Sequence, residues 1–148
     1  LIAQAELIFT LDFNALHRTG AMEHPLSQAK ATKILIDHHQ QPDNYAKYVY
    51  SDVTICSTCQ MVYHFFEMLD DKKSINSKIA TCLYVGIMTD TGSFRFSSTT
   101  ATTHRVIADL IDKGAVNAEI HNQVYDNNSY DRLQLLGVAL NNLKVVPD

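Results

Sequence analysis

The chain has 148 residues, of which 46% are hydrophobic and 19% are charged. These values are ordinary for one globular domain, which can bury a core without disulfides or a structural metal. The net charge of −4 excludes a broad basic surface for long nucleic acid, although a short anionic substrate held through metal ions remains compatible. No apolar run in the sequence approaches the roughly 18 residues that would indicate a membrane span, so we expect no membrane partner.

Two apolar stretches near the N-terminus each end at an acidic residue. Residues 6–11 predict a strand followed by Asp12, and residues 33–36 predict a second strand followed by Asp-His-His at residues 37–39. Ligands bind at the carboxyl ends of the strands in an open parallel sheet, and a strand end is a rigid mount for a catalytic or metal site. The pattern therefore favours a functional site at this edge of the sheet.

The rest of the chain is mostly helical in pattern. Short helices are expected near residues 15–18 and 25–29, a short third strand at residues 45–50 and an extended piece at residues 93–96. Longer helices are predicted at residues 57–69, from Asn76 or Ser77 into residues 88–92, from Thr102 or Thr103 through Ile111, and at residues 117–125 and 129–143. Early strands that alternate with helices predict an α/β domain with a mainly parallel sheet flanked by helices.

The three cysteines, Cys56, Cys59 and Cys82, cannot close a disulfide framework. Reduced thiols and a cytoplasmic location are the simplest interpretation. Cys56 and Cys59 form a C-x-x-C motif at a predicted helix start, where a lowered thiol pKa would suit redox chemistry, and the pair could also supply two zinc ligands. Because Cys82 has no such partner, we favour a packing role for these cysteines.

Four residues that end apolar segments, Asp12, Asp37, His38 and Asp90, are candidates for metal chemistry. Carboxylate oxygens and imidazole nitrogens without thiolate suit Mn²⁺, Mg²⁺ or a related divalent ion. Each acid taken alone is better explained as a helix cap or a turn residue, since Asp is a common N-cap. The adjacent His38 and His39 are the stronger signal, so a metal site and a set of caps both stay open at this point.

The sequence resembles the DHH phosphoesterase family, whose name is the triplet at residues 37–39. The match extends in the right order along nearly the whole chain, through segments at residues 11–14 with Arg18 and Gly20, 57–59, 86–96, 98–100 and 103–105. The subgroup that it resembles most is that of small bacterial oligoribonucleases that also dephosphorylate 3′-phosphoadenosine 5′-phosphate. RecJ-like exonucleases and cyclic-dinucleotide phosphodiesterases share the domain.

The resemblance implies a role for each matching residue. Asp12, His38 and Asp90 would bind metal in a two-ion Mn²⁺ site, with Mg²⁺ or Co²⁺ as alternatives. Asp37 would orient the neighbouring imidazole, and His39 would reach the scissile phosphate. Four further residues would contact substrate: Ser57, Thr58, Arg95 and His104.

The implied reaction is hydrolysis of short oligoribonucleotides to nucleoside 5′-monophosphates, of 3′-phosphoadenosine 5′-phosphate to AMP, or of both. The partners would be short single-stranded RNA or mononucleotides, and exposed helices would allow a homodimer. RecJ-like exonuclease or cyclic-dinucleotide activity is also compatible with the resemblance. The alternative from a different class is a non-catalytic nucleotide-sensing or interaction domain with a degenerate metal site.

Two parts of the family pattern are not found in this sequence. The family's first motif, a strand followed by a His and two Asp residues, would precede Leu1, and its glycine-rich substrate-binding domain would follow Asp148. We therefore expect residues 1–144 to be a DHH catalytic domain that lacks its N-terminal strand and first motif, and residues 145–148 to begin a linker. Because the first motif supplies metal ligands, we expect the 148-residue chain alone to be inactive.

Overall fold

The computed structural model describes residues 1–144. The chain divides into two compact units, Leu1–Ala115 and Val116–Asp148. The first unit carries the sheet, four helices and every residue that the sequence singled out as a site candidate. The predicted division into one domain over residues 1–144 stays a prediction, and the expected linker at residues 145–148 lies outside the described residues.

Three parallel strands form the sheet in the order β1 (Leu7–Leu11), β2 (Thr32–Asp37) and β3 (Tyr48–Ser51). The central β2 is the most buried strand, which explains the almost continuous apolar run that precedes its terminal acid. Leu11 pairs with Ile36, and one step further along β2 Asp37 pairs with Ser51. All three strands therefore end at the same edge.

Four helices belong to the first unit: α1 (Glu23–Gln28), α2 (Thr58–Met68), α3 (Ser77–Asp90) and α4 (Ala101–Asp112). Short 3-10 turns occupy Ile2–Gln4, Leu16–Met22 and Lys72–Ser74. Polar caps start the three long helices, with the side chains of Ser57, Asn76 and Thr100 each accepting a backbone N–H of the first turn. The cap at Thr100 starts α4 one or two residues earlier than the sequence predicted.

Helix α2 is the centre of the packing, because it contacts β2, α3 and α4. Its Met61 is fully buried, as are Ile87 and Met88 of α3. The approach of α2 to α3 depends on Gly86, where an added Cβ would stand 2.1 Å from the sulfur of Cys59. Any larger residue at this position would push the two helices apart.

The second unit contains α5 (Asn117–His121), a π-helical turn over Asn122–Asp126 and α6 (Tyr130–Asn141). The side chain of Ser129 caps α6 by accepting the N–H of Arg132. Several large apolar side chains of α6 are exposed: Leu133, Leu135, Leu136, Val138 and Leu140.

The predicted fold class is confirmed, whereas the extended piece predicted at residues 93–96 is wrong. Gly92, Ser93 and Phe94 have φ values of 56°, 60° and 64°, so the chain turns through three left-handed residues. The buried Thr91 holds this turn, because its hydroxyl accepts the N–H of Phe94 and its carbonyl accepts the N–H of Arg95. Along residues 1–144, no helix has both the length and the apolar character needed to cross a bilayer.

Candidate metal centre

Three side chains converge where the first two strands end. Asp12 follows β1, His38 and His39 follow β2, and one ligating atom from each lies within 4.8 Å of the others. His38 Nε2 lies 3.7 Å from Asp12 Oδ1. The parallel register brings these residues together from positions 26 apart in the chain, as the strand-end argument predicted.

A backbone carbonyl sets the orientation of His38. The ring nitrogen Nδ1 lies 3.2 Å from the carbonyl oxygen of Ile55. Because a carbonyl can only accept, Nδ1 carries the proton and donates it. The lone pair of the neutral ring is then on Nε2, the nitrogen that faces Asp12.

A buried carboxylate sets the orientation of His39. Asp37 is fully buried, and its Oδ1 accepts a hydrogen bond from His39 Nδ1 at 2.7 Å while its Oδ2 accepts the backbone N–H of His39 at 3.2 Å. Burial of a carboxylate without such partners would be costly. The imidazole that Asp37 orients is therefore that of His39, whose Nε2 is left to contact a ligand.

Asp12 has a backbone conformation that few residues adopt, with φ at 66°. Asp tolerates the left-handed region better than most side chains do, and such residues concentrate at functional sites. Its N–H donates to the carbonyl of Ile36 at 3.3 Å. Its Oδ1 accepts a hydrogen bond of 2.9 Å from the hydroxyl of Thr58, the first residue of α2.

Further hydrogen bonds join the loop after β1 to the loop after β2. The side-chain amide of Asn14 donates to the carbonyl of Gln40 at 2.6 Å, and the N–H of Asp43 donates to the carbonyl of Asn14 at 2.8 Å. Tyr45 donates its hydroxyl proton to Thr10 Oγ1 of β1 at 2.9 Å. These bonds keep the two ligand-bearing loops together.

Asp90 lies at the C-terminal end of α3, is exposed and is not a member of the three-residue group. Its charge nevertheless affects the same group as the charge of Asp12, the thiol of Cys59. Burial, followed by the charges of Asp90 and Asp12, raises the pKa of Cys59 to about 11. The charges of Asp12 and Asp90 therefore both act on the half-buried thiol of Cys59, while the role of Asp90 as a metal ligand stays a prediction.

The raised pKa leaves Cys59 protonated at neutral pH, which makes it a poor redox nucleophile. Cys56 is buried, and its thiol donates to Gln60 Oε1 at 3.2 Å. Cys56, Cys59 and Cys82 are all free thiols. These surroundings agree with a packing role for Cys56 and Cys59, whereas Cys82 is exposed.

The other residues expected to contact substrate lie outside the three-residue group. Ser57 is fully buried, and its oxygen caps α2 by accepting the N–H of Cys59. Arg95 is exposed, and its Nε donates to the carbonyl of Gly92 at 2.7 Å. His104 is exposed, with its ring 6.0 Å from that of Phe94. Their predicted substrate contacts stay predictions.

Sequence reasoning missed the partners that orient the ligands. A backbone carbonyl such as that of Ile55 leaves no trace in the residue pattern, and the pairing of Thr58 with Asp12 spans 46 positions. Asn14 lies in the matching segment at residues 11–14, but its hydrogen bond to the loop after β2 has no local sequence signal. Each contact exists only because separate segments meet at one sheet edge.

The donor set fits a divalent metal ion. One carboxylate and two imidazoles offer oxygen and nitrogen ligands without thiolate, which are donors that divalent metal ions take in proteins. Both imidazoles are held through Nδ1, one by a carbonyl and one by a carboxylate. Histidines that bind metal are typically held in this way by a partner of the second ring nitrogen.

Comparisons with known proteins agree with this geometry. Residues 1–87 match the family described as DHH family, N-terminal domain. The bifunctional oligoribonuclease and PAP phosphatase NrnA of Bacillus subtilis is 32% identical over 126 residues, and the match covers 83% of this chain and 39% of that protein. The protein of the same name from Thermus thermophilus is 36% identical over 101 residues, covering 68% of this chain and 31% of that protein.

A solved structure matches the fold closely. The crystal structure of an exopolyphosphatase-related protein from Bacteroides fragilis superimposes with a TM-score of 0.94 at 35% identity, covering 98% of this chain and 43% of that one. The chain therefore spans less than half the length of these relatives. The chain belongs to the DHH family, and this membership, together with the Asp and His group, supports a phosphoesterase function with a divalent metal.

Proposed function

We propose that this chain is the metal-binding part of a Mn²⁺-dependent phosphoesterase. Its substrates are short oligoribonucleotides, which it cleaves to nucleoside 5′-monophosphates, and 3′-phosphoadenosine 5′-phosphate, which it converts to AMP. The observation that carries the proposal is the convergence of Asp12, His38 and His39 at the carboxyl edge of the sheet. The substrate class is supported by the names of the Bacillus and Thermus relatives.

Each residue of the site has a distinct task in this proposal. Asp12 and His38 hold the metal with Asp90, and His39, kept in place by Asp37, contacts a phosphate oxygen. When bound, divalent ions lower the pKa of an attacking water and stabilise the charge at phosphorus. No side chain of the protein is covalently modified, and the nucleophile is water.

The pairing of Asp37 with His39 has a chemical consequence. The buried carboxylate accepts a hydrogen bond from Nδ1 and so fixes the orientation of the ring. Asp37 therefore aligns His39 for its contact with a phosphate oxygen.

The second candidate is a non-catalytic domain that senses a nucleotide. One observation favours it: within residues 1–144, Asp90 is not part of the group of Asp12, His38 and His39. A site with few ligands would bind metal weakly and would not assemble the charge needed for hydrolysis. In that case a nucleotide would bind but would not be turned over.

The deciding experiment uses the full-length protein. We expect it to release mononucleotides from a ribodinucleotide and phosphate from 3′-phosphoadenosine 5′-phosphate as Mn²⁺ is titrated in. His38→Ala should lower kcat/KM for both substrates by more than about 100-fold, because loss of a ligand exceeds the effect of losing an outer partner. The 148-residue chain alone should show no turnover of either substrate.

A matched control comes from His64→Ala, because His64 also pairs with a carboxylate at 2.7 Å but lies on α2. It should leave both activities unchanged. Nucleotide binding without turnover at any Mn²⁺ concentration would favour the sensing domain. Inorganic polyphosphate is a useful third substrate, since the Bacteroides structure is described as exopolyphosphatase-related, and preferential release of phosphate from it would overturn the nucleotide assignment.

A further inference from the structure

We infer that Thr58 is a positioning residue that holds the carboxylate of Asp12 in place for metal binding. The inference rests on the proposed function and adds one residue to its machinery. Its basis is the hydrogen bond of 2.9 Å from Thr58 Oγ1 to Asp12 Oδ1. The two residues are 46 positions apart and come from a strand end and a helix start.

Asp12 needs an external partner more than the two histidines do. Each imidazole is held through Nδ1 and is less than two-fifths exposed, whereas the side chain of Asp12 is 58% exposed. Its backbone lies in the left-handed region, at the point where the chain leaves β1. A carboxylate in this position would otherwise sample several rotamers in water.

Thr58 is a rigid anchor for that carboxylate. It is only 4% exposed and is the first residue of α2, which packs on β2, α3 and α4. A β-branched side chain has few χ1 rotamers, so its hydroxyl direction is well determined. The next residue, Cys59, faces Gly86 of α3, where an added Cβ would lie 2.1 Å from the Cys59 sulfur.

The bond leaves the carboxylate free to act as a ligand. One lone pair of Oδ1 accepts the Thr58 proton, and the same oxygen lies 3.7 Å from His38 Nε2. Oδ2 and the second lone pair of Oδ1 remain for a cation. A ligand that is already ordered loses less conformational freedom on binding, so the metal is held more tightly.

In this inference Thr58 acts on Asp12, which differs from the substrate contact that the sequence predicts for it. A hydroxyl has one proton to donate, and here that proton is directed to Asp12. Thr58 therefore cannot donate to a substrate phosphate while it holds the carboxylate. Its effect on catalysis passes through Asp12 and not through contact with substrate.

The test measures Mn²⁺ affinity in the full-length protein from the electron paramagnetic resonance signal of the free ion. Thr58→Val removes the hydroxyl at nearly constant shape and should weaken Mn²⁺ binding by about 10- to 100-fold. Thr58→Ser retains the hydroxyl and should bind nearly as the unaltered protein does. Thr81→Val is the matched control, because the Thr81 hydroxyl donates to the Ser77 carbonyl within α3, away from the site.

The metal-free melting temperature separates positioning from stability. Thr58→Val and Thr58→Ser should melt close together, and Thr58→Ala takes the place of Thr58→Val should the valine variant fail to fold. Unchanged Mn²⁺ affinity without the hydroxyl, or an equal loss in Thr58→Ser, overturns the positioning role and leaves the proposed function standing. If the unaltered protein binds no Mn²⁺, the proposed function and this inference both fall.

Discussion

Two histidine–carboxylate pairs in the first unit have the same length and very different surroundings. His39 and Asp37 meet at 2.7 Å at the end of β2, and His64 and Glu67 meet at 2.7 Å on α2. Asp37 is fully buried, whereas the side chain of Glu67 is 40% exposed. The distance between partners therefore does not separate a functional pair from a structural one.

The two pairs differ in the surroundings of the histidine ring beyond its carboxylate partner. In His64, Nε2 faces the Gln60 amide at 3.2 Å, and Glu67 is shared with Lys72 at 3.2 Å. Both ring nitrogens of His64 therefore have partners within the protein. The His39 ring instead belongs to the group of three side chains, with Asp12 and His38, whose ligand atoms lie within 4.8 Å of one another. Ligand atoms from several side chains that converge indicate a binding site. A histidine whose two ring nitrogens both have protein partners indicates a structural role.

The largest expected effect in this comparison is on hydrolysis, when the carboxylate of Asp37 is replaced by an amide. Asp37→Asn in the full-length protein should lower Mn²⁺-dependent hydrolysis by about 10- to 100-fold, because the amide no longer holds the His39 ring in one orientation as the carboxylate does. Glu67→Gln is the matched change on α2 and should leave hydrolysis unchanged. Steady-state kinetics with the ribodinucleotide measures the activity of both variants. Equal losses of activity would show that the two histidine–carboxylate pairs do not differ in function.

A smaller effect, on stability, is expected for Tyr63, which lies next to His64 on α2. Tyr63 is 3% exposed, and its hydroxyl donates to Asp109 Oδ2 at 2.8 Å. Tyr63→Phe should lower the free energy of unfolding by about 1 kcal/mol, since partly exposed Asp109 regains water. Urea denaturation measures this change in the free energy of unfolding. Tyr130→Phe is the control and should not change the free energy of unfolding, because Tyr130 is 74% exposed. A change in Mn²⁺ affinity in Tyr63→Phe would show that the two regions are coupled.

The smallest effect is a pH dependence of stability carried by Glu67. Burial alone would raise its pKa, but hydrogen bonds from His64 and Lys72 outweigh burial and hold the pKa below the ordinary value of 4.5. Because the folded-state pKa is lowered, the stabilisation is present above pH 4.5 and is lost as the pH falls through the folded value. Its size is about 0.5 kcal/mol, as is usual for partly exposed pairs.

Thermal unfolding of Glu67→Gln and the unaltered protein between pH 3 and 7 checks this expectation. The gap between the two melting curves should be present at neutral pH and should close in acid. A gap that widens as the pH falls would have the wrong sign for a lowered pKa. Lys72→Met should produce a gap of the same sign at neutral pH, because it removes the partner charge from Glu67.

Several strands and helix starts could be predicted because they depend on local sequence patterns. The apolar run before residue 37 predicted a buried strand, and the polar residues Ser57 and Asn76 matched the helix starts that the structure shows. The turn at residues 92–94 was missed, because three successive left-handed residues are favoured by the hydrogen bonds around Thr91 and not by intrinsic preference. Local propensity has no term for such contacts.

The sequence by itself determined the class of fold, the strand ends that carry Asp12 and His38, and the chemistry that their oxygen and nitrogen atoms can perform. These follow from hydrophobic period and residue type, which act over a few positions. Only the tertiary structure decided that Asp37 holds His39, that the Ile55 carbonyl orients His38 and that Thr58 holds Asp12. Hydrogen bonds need atoms within about 3 Å, and three-dimensional packing alone brings distant segments that close.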